Sequence, residues 1–590
     1  MPFHPLSSSR RPAGRPVFTL GFILALSAFF TGCAPRRYER AADREVYRII
    51  QQAEQTVFGA TNTFTIATPY SARDPKEIPA AEIIENRSQT NRRVLRLEDA
   101  LQLGIQHSRE YQTQKERLYL SALSLTGSRY EFSPQFFAES EGTLAGTTGG
   151  PDTGSLKTQI GVSQLLRTGG RLSVSLANDL LRWFTGWSPS GGNNTRDTAV
   201  NVLSVNLSQP ILRGFGRMNP QVEALTQSER NVIYAVRTFS QYQRQFAVDI
   251  VNAYFGLLRQ KDTVRNNYTN YLRRADFTVY NEARAVDRAS RLQVDEARSQ
   301  ELNARISYVN SLAAYLNAAA AFKLRLGLPQ SEEVFFDDTD LRDLAKAGLL
   351  PVEIDRHAAF RLSTAKHLDI LTAIDRFEDT KRKLRLAADQ LKPGLIFNGG
   401  ASVQSEEPYD YANFDLDRVR YDAGLKLDLP LDRLRERNNY RAARVDFEAE
   451  IRSLANTLDT FRRDIDDGLR NLEQQRLNLL SRQEALAVAT SREENSRLSF
   501  EAGRATIRDV RDSQDALIEA QNEVTFTLVN YLQARLFLLL DMGVLKTDET
   551  AFWLKDPLQD VVTPEMRGPS PLQMPRDTLI PPNQFIEPPQ

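Results

Sequence analysis

The chain has 590 residues, with 75 Lys plus Arg against 75 Asp plus Glu, so its formal net charge is zero. That balance excludes the basic excess of a nucleic-acid binder, and 25% charged residues exclude a helical bundle embedded in lipid. One cysteine and four scattered histidines (His4, His107, His357, His367) exclude an intramolecular disulfide, a zinc cluster and an iron–sulfur site.

The N-terminus carries Arg10, Arg11 and Arg15, then the apolar run of residues 17–30, "VFTLGFILALSAFF". The run is shorter than the roughly 20 residues of a membrane span and fits the apolar core of a signal peptide. Thr31, Gly32 and Cys33 follow. The stretch "FFTGCAP" resembles a bacterial lipobox, with Phe30 standing where that pattern prefers Leu. The resemblance implies a lipoprotein signal peptide at 1–32, cleavage after Gly32 and a covalent lipid on Cys33. The other reading is a plain signal peptide that leaves a free thiol. No Asp follows the cysteine to signal retention at the inner membrane. Residues 33–94 then form an N-terminal periplasmic segment. Its apolar residues are few and weakly periodic, and "PYSARDPKEIP" at 69–79 reads as exposed coil.

Two kinds of sequence fill the middle. One is helical. Phe246, Ile250, Ala253, Tyr254 and Leu257 form an amphipathic stripe, and residues 221–326 contain no proline and only Gly256 as glycine. The other alternates. Leu156, Thr158, Ile160 and Val162 interleave with Lys157, Gln159, Gly161 and Ser163, and Leu172, Val174 and Leu176 with Arg171, Ser173 and Ser175. Val200 and Val202 slip phase against Val205 and Leu207, which predicts a bulge near Leu203. Tyr421, Ala423, Leu425, Leu427 and Leu429 alternate again. Period two with one apolar face fits a half-buried soluble sheet and equally a barrel with lipid outside and water inside.

The halves repeat. "LSQPILRGFGR" at 207–217 matches "LDLPLDRLRER" at 427–437, with Pro210 and Pro430 standing 220 positions apart. "LRLGLP" at 324–329 matches "LLDMGVL" at 539–545, with Gly327 and Gly543 standing 216 apart. Two markers at nearly one offset indicate an internal duplication. Repeat 1 covers 95–345, with strands at about 134–210. Repeat 2 covers 346–545, with strands at about 393–430. Residues 546–590 form a Pro-rich tail, read as disordered from Pro557 onward. Residues 221–284 and 434–502 predict two helices on the order of 100 Å each. Shorter pieces match those lengths when stacked end to end: 285–326 with 358–391, and 504–540 with 97–131. A hollow helical cylinder capped by strands requires that equality.

This order resembles the outer-membrane efflux protein family, the TolC type. The carrying stretches are "LRLEDALQLGIQHSREYQ", "LSQPILRGFGR", "LDLPLDRLRERNNYRAA" and "FEAGRATIRDVRDSQDALIEAQNEV". The resemblance implies a mainly α fold with a β-barrel portion. Three chains close one outer-membrane barrel, which continues as a long periplasmic α-helical barrel. It implies a passive exit duct of a tripartite efflux or type I secretion system, docked to a periplasmic adaptor and an inner-membrane transporter. A duct is no enzyme, and no hydrolase elbow, Walker A loop or dinucleotide fingerprint occurs, so no catalytic residue, cofactor or metal is assigned beyond the lipid on Cys33. The alternatives are a lipid-anchored periplasmic coiled-coil scaffold without a pore, which leaves the paired strand regions unexplained, and a lipoprotein enzyme, which lacks a site.

The first strand region is longer than the second by about 39 residues. They hold "LLRTGGRLS" at 165–173 and a loop with Trp183, Phe184 and Trp187. Both helices must stay on one side of a membrane, so the crossings there number two or four. Four would give six strands per chain instead of the family's four; the alternative is an extracellular hairpin. Trp183 and Trp187 fit an interfacial girdle or a packed loop. At the opposite end, Gly503 breaks the helix of "EAGRATIRDVRDSQ". Asp509 and Asp512 follow at i and i+3. By resemblance they ring the narrow end of the tunnel; read from spacing alone, they offset the helix dipole. Arg504, Arg508 and Arg511 could hold that tip closed by ion pairs, or merely solvate the face. The matching tip of repeat 1 lacks the glycine and offers Asp287 as a weaker counterpart.

Overall fold

The computed structural model describes residues 35–146, 148, 152–185, 197–285, 291–405, 414, 416–429, 431–559 and 561–567. Cys33, Asp287 and Trp187 lie outside them. The two repeats have the same helical plan. In repeat 1, α3 (Leu97–His107, 11 residues) and α4 (Arg109–Tyr130, 22) precede the strands, and α5 (Pro220–Ala285, 66) and α6 (Arg291–Arg325, 35) follow them. In repeat 2, α8 (Arg356–Lys366, 11) and α9 (Leu368–Asp389, 22) precede, and α10 (Leu434–Glu501, 68) and α11 (Ile507–Asp541, 35) follow. Each short pair breaks at one extended residue, Ser108 or His367. Ser108 caps α4 by accepting from the Tyr111 amide.

The marker glycines sit at these breaks. Gly327 ends α6 with φ +75° and Gly543 ends α11 with φ +69°, the left-handed conformation that closes a helix without a Cβ penalty. A Cβ on Gly327 would run into the His107 carbonyl, and one on Gly543 would lie 2.9 Å from the His367 nitrogen. Thus α6 abuts the α3/α4 break and α11 abuts the α8/α9 break. This corrects the expected stacking, which joined 285–326 to 358–391 and 504–540 to 97–131. The stacked lengths are equal either way, so length could not choose the partner.

The core lies at mid-height of α5. Phe246, Ile250, Tyr254 and Leu257 of the expected stripe are buried there, with Phe255, Phe322 and Phe336. A two-stranded parallel sheet flanks it, β1 (Arg92–Leu95) on β6 (Glu333–Phe336), and the Tyr254 hydroxyl donates to the Leu95 and Asp337 carbonyls at 3.1 and 3.0 Å. Three further α-helices occur among the described residues: α1 (Pro35–Phe58), α2 (Ala80–Ser88) and α7 (Thr339–Ala347). Helix α1 packs part of the N-terminal segment onto the core. Its narrow stripe of Val46, Ile49 and Ile50 is buried, and Tyr119 donates to Asp43 at 2.7 Å. The many charged residues around that stripe dilute its period. Residues 69–79 are mostly exposed coil with one short 3-10 turn.

The C-terminal expectation is also corrected. Phe552, Trp553, Leu558 and Val562 are buried, and Arg535, itself fully buried, donates to the Trp553 and Lys555 carbonyls at 3.2 and 2.5 Å. A few apolar anchors without period hold this segment through residue 567, so packing extends past Pro557.

The alternating segments form one antiparallel sheet in the order β2-β3-β4-β5-β7-β8. Its strands are β2 (Gln135–Ala145), β3 (Asp152–Leu165), β4 (Arg171–Thr185), β5 (Asp197–Pro210), β7 (Gly394–Gln404) and β8 (Arg420–Asp428). Pairing of β4 with β5 runs without a shift from Arg171↔Ser208 to Arg182↔Asp197. No bulge occurs at Leu203. Instead Val200 and Val202 lie on the polar face, and Leu203, Val205 and Leu207 on the apolar one.

Asp541, in the last turn of α11, carries a carboxyl pushed up to about 6, first by burial and then by Asp464. An unfolded aspartate titrates near ~4. Between those values the folded chain holds a proton that the unfolded chain releases, so stability falls as pH rises through the window. Asp541→Asn should raise the melting temperature of the detergent-extracted protein near neutral pH and leave it unchanged near pH 4. An equal effect at both pH values would contradict this origin.

Candidate functional site

Two places carry clustered polar groups: the helical tip and one face of the sheet. The tip turn begins where α10 ends. Gly503 has φ +75°, its amide donates to the Phe500 carbonyl at 2.9 Å, and the Arg504 amide reaches Ser499 at 2.8 Å. A Cβ on Gly503 would meet open space, so backbone conformation rather than crowding favours glycine here. Thr506 then starts α11. Its amide and hydroxyl donate to Asp509 at 2.8 and 2.7 Å, and the Asp509 amide donates back to the Thr506 hydroxyl at 3.3 Å. This reciprocal pair satisfies donors that the helix itself leaves open. These bonds, the hydroxyl first, hold the Asp509 carboxyl below its ordinary range, helped by Arg492 and Arg508.

Asp512 accepts from Arg511 at 2.7 Å, and Arg511 also lies 3.7 Å from Glu296 of α6. Arg504 lines an open hollow of about 840 Å³ with Arg492 and Asp509. Arg511 therefore links the two helical hairpins, while Asp509 serves its own helix end. Beneath the turn, Phe500, Ile507 and Val510 pack against Phe277, with the Phe277 and Phe500 rings 5.3 Å apart.

One residue escaped sequence reasoning. Arg274 of α5 is 5% exposed. It reaches Asp515 of α11 at 2.5 Å and Gln300 of α6 at 3.1 Å. Burial lowers its pKa and Asp515 opposes that shift. A buried guanidinium without its carboxylate is unfavourable, so this pair ties repeat 1 to repeat 2 just above the tip. In the sequence, Arg274 reads as one more charge on a solvated helix face.

The sheet has two chemically distinct faces. Partners across each ladder share a face, and one row runs Val162, Val174, Val205, Ala401, Tyr421. The next face carries Ser175, Ser204, Ser402 and Arg420, with the Ser175 and Ser204 hydroxyls 2.9 Å apart. An open hollow of about 780 Å³ on the polar face is lined by Glu139, Glu141, Lys157 and Gln159. The polar side is therefore concave. Across it, Leu156, Ile160, Leu176, Leu203, Leu425 and Leu427 are exposed. Trp183 and Phe184 belong to the outer end of β4.

Among the described residues, no helix is long and apolar enough to cross a membrane, and no cluster of His, Cys, Asp and Glu could hold a metal ion. No family model matches the sequence, and no curated protein matches it. Solved structures do. CusC, described as forming a transmembrane channel, aligns at TM-score 0.56 and 12% identity over 76% of this chain and 92% of its own. The chain has the fold of these outer-membrane channels. VceC, an outer membrane protein of Vibrio cholerae, aligns at TM-score 0.55 and 14% identity over 76% of this chain and 96% of its own. The Campylobacter jejuni outer membrane channel CmeC aligns at 0.54 and 14% over 79% and 88%.

Asp515→Ala should loosen the tip by up to about 1 kcal/mol, because Asp515 is 60% exposed and Gln300 still accepts from Arg274. Amide exchange should quicken at 270–281 and 507–517 and stay unchanged around 246–258. Unaltered exchange at the tip would show that the pair does not hold it.

Proposed function

We propose that this chain is the outer-membrane channel of a tripartite efflux or type I secretion system, a passive exit duct. Three copies assemble, with their sheets in the outer membrane and their helices extending into the periplasm toward an adaptor and an inner-membrane transporter. The observation that carries the reading is the two-faced sheet continued by paired helices of 66 and 68 residues. An apolar convex face suits lipid and a polar concave face suits water. Helices of that length reach on the order of 100 Å from the membrane. A scaffold without a pore has no use for either sheet face. The lipid proposed for Cys33 anchors each protomer beside its strands and plays no part in the pore. Transport through a duct needs no catalytic group and no cofactor.

The tip is the proposed gate. Asp509 and Asp512 from three copies set six carboxylates around the narrow end, where they favour cations over anions. Gly503 gives the turn, and Arg504, Arg508 and Arg511 supply the countercharges that hold it shut. In a planar bilayer, the purified protein should show a small cation-selective conductance. In Asp509→Ala/Asp512→Ala that conductance should rise and its cation selectivity should fall. Inserted protein that conducts in neither form would overturn the duct. A conductance and selectivity unchanged by the substitutions would overturn the gate alone.

A further inference from the structure

The strand order and the position of one turn point to a wider barrel than the family resemblance implies. We infer that three copies close an eighteen-stranded barrel, with β8 of each protomer pairing antiparallel with β2 of the next. The inference rests on the trimeric channel reading above and deepens it by naming the contact between copies.

The first observation concerns β3 and β4. Their connection, residues 167–170, is a tight turn in which the Leu166 amide donates to the Gly170 carbonyl at 2.7 Å. It does not sit in an outer loop. The Gly216 amide donates to the Thr168 carbonyl at 2.9 Å, and Gln209 bonds Thr168 at both ends of its amide, at 2.7 and 3.0 Å. A Cβ on Gly169 would lie 2.6 Å from the Asn219 side chain. Gly216 and Asn219 belong to the segment that leads from β5 into α5. The turn therefore lies on the helical side of the sheet, and β3 and β4 cross its full height. An extracellular hairpin could not place its turn there.

The second observation is continuity. Strand β2 pairs with β3 over its whole length, Gln135–Ala145, and β4 pairs with β5 over Arg171–Arg182. Both carry the same alternation of lipid-type and water-type faces as the other four strands. The extra pair is wall, with Lys157, Gln159, Ser173 and Ser175 added to the polar side.

The third observation is the pair of edges. Among the described residues, strands β2 and β8 each have a partner on one side only. Every neighbour in the sheet is antiparallel, so with six strands β2 and β8 run in opposite directions. The β8 edge of one copy thus meets the β2 edge of the next in antiparallel sense, and a head-to-tail contact of this kind closes as a ring. In hydrocarbon an unpaired edge leaves backbone groups without hydrogen bonds, so closure is obligatory. The register supports it. A single row of pairs runs Gln135, Ser163, Ser173, Asn206, Gly400, Asp422. It enters β8 six residues before Asp428, where that strand ends. With the strand bases of adjacent copies level, the stagger is about one residue per strand, a tilt of roughly 35°. That value lies within the range of closed transmembrane barrels.

Diameter grows about linearly with strand number, so this barrel is roughly 1.5 times as wide as a twelve-stranded one. The narrow point of the duct then lies at the helical tip, and the barrel passes whatever the tip admits.

The test is electron cryo-microscopy of the detergent-extracted full chain, with its mass measured first, beside a variant lacking 152–185. That deletion removes β3, β4 and the turn between them and joins two outer loops, leaving every other helix-side connection in place. The expected result is three copies, eighteen strands in the wall, and a barrel about one third narrower in the deletion variant. A trimer with twelve wall strands and the 152–185 hairpin off the wall would overturn the inference. A deletion variant of unchanged diameter would do the same. If the variant does not assemble, the strand count of the full chain decides. A mass other than three copies overturns the trimeric reading itself, which separates the two failures.

Discussion

Backbone hydrogen bonding at the two sheet edges is the constraint on which the rest depends. A sheet with one apolar and one polar face can be stable between lipid and water only if no edge is left open. Among the described residues the six strands of one chain end in two separate edges, β2 and β8, and the proposed trimer pairs them. An even number of crossings then returns the chain to the helical side after each strand region. The Gly169 turn and the segment before α5 meet on that side, which keeps all the long helices together.

The duplication extends this logic along the helices. Each repeat supplies an 11-residue helix, a 22-residue helix, one very long helix and a 35-residue return. Equal lengths let the two repeats stand side by side as quasi-equivalent staves. Gly327 and Gly543 make the joints, because only a residue without a Cβ lets a helix end approach a neighbouring backbone so closely. The repeats diverge at their ends. One adds two strands, and the other adds a glycine turn whose carboxylates face solvent. Divergence among the described residues is thus greatest in the strand region and at the tip, the two places where the proposed duct would meet lipid and partner.

Much of the frame was legible in the sequence, because it follows from local rules. Proline-free runs bound α5 and α10 to within a few residues, and the marker glycines located both joints. Period two exposed the sheet and its faces. What escaped was set by tertiary contacts. The stacking partners of α6 and α11 depend on which break each glycine meets, and equal lengths hide that choice. The burial of α1 and of Phe552, Trp553, Leu558 and Val562 depends on a few anchors without period. The phase slip near Leu203 reads as a bulge, yet it places Val200 and Val202 on the polar face of a regular strand. Of the tip residues, Gly503, Asp509 and Asp512 carry local signals. Arg274 does not, since its burial comes from the meeting of two hairpins far apart in the chain.

The account stands or falls on lipid lying against one face of the sheet and water against the other. Single cysteines at Ser204 and Leu176 test this directly in protein reconstituted into vesicles, with the unsubstituted protein measured alongside as the background from Cys33. Ser204→Cys should react with a water-soluble thiol reagent. Leu176→Cys should resist that reagent, and a fluorophore attached there before reconstitution should be quenched by a nitroxide dissolved in the membrane. Equal reaction of both positions from water would contradict the account.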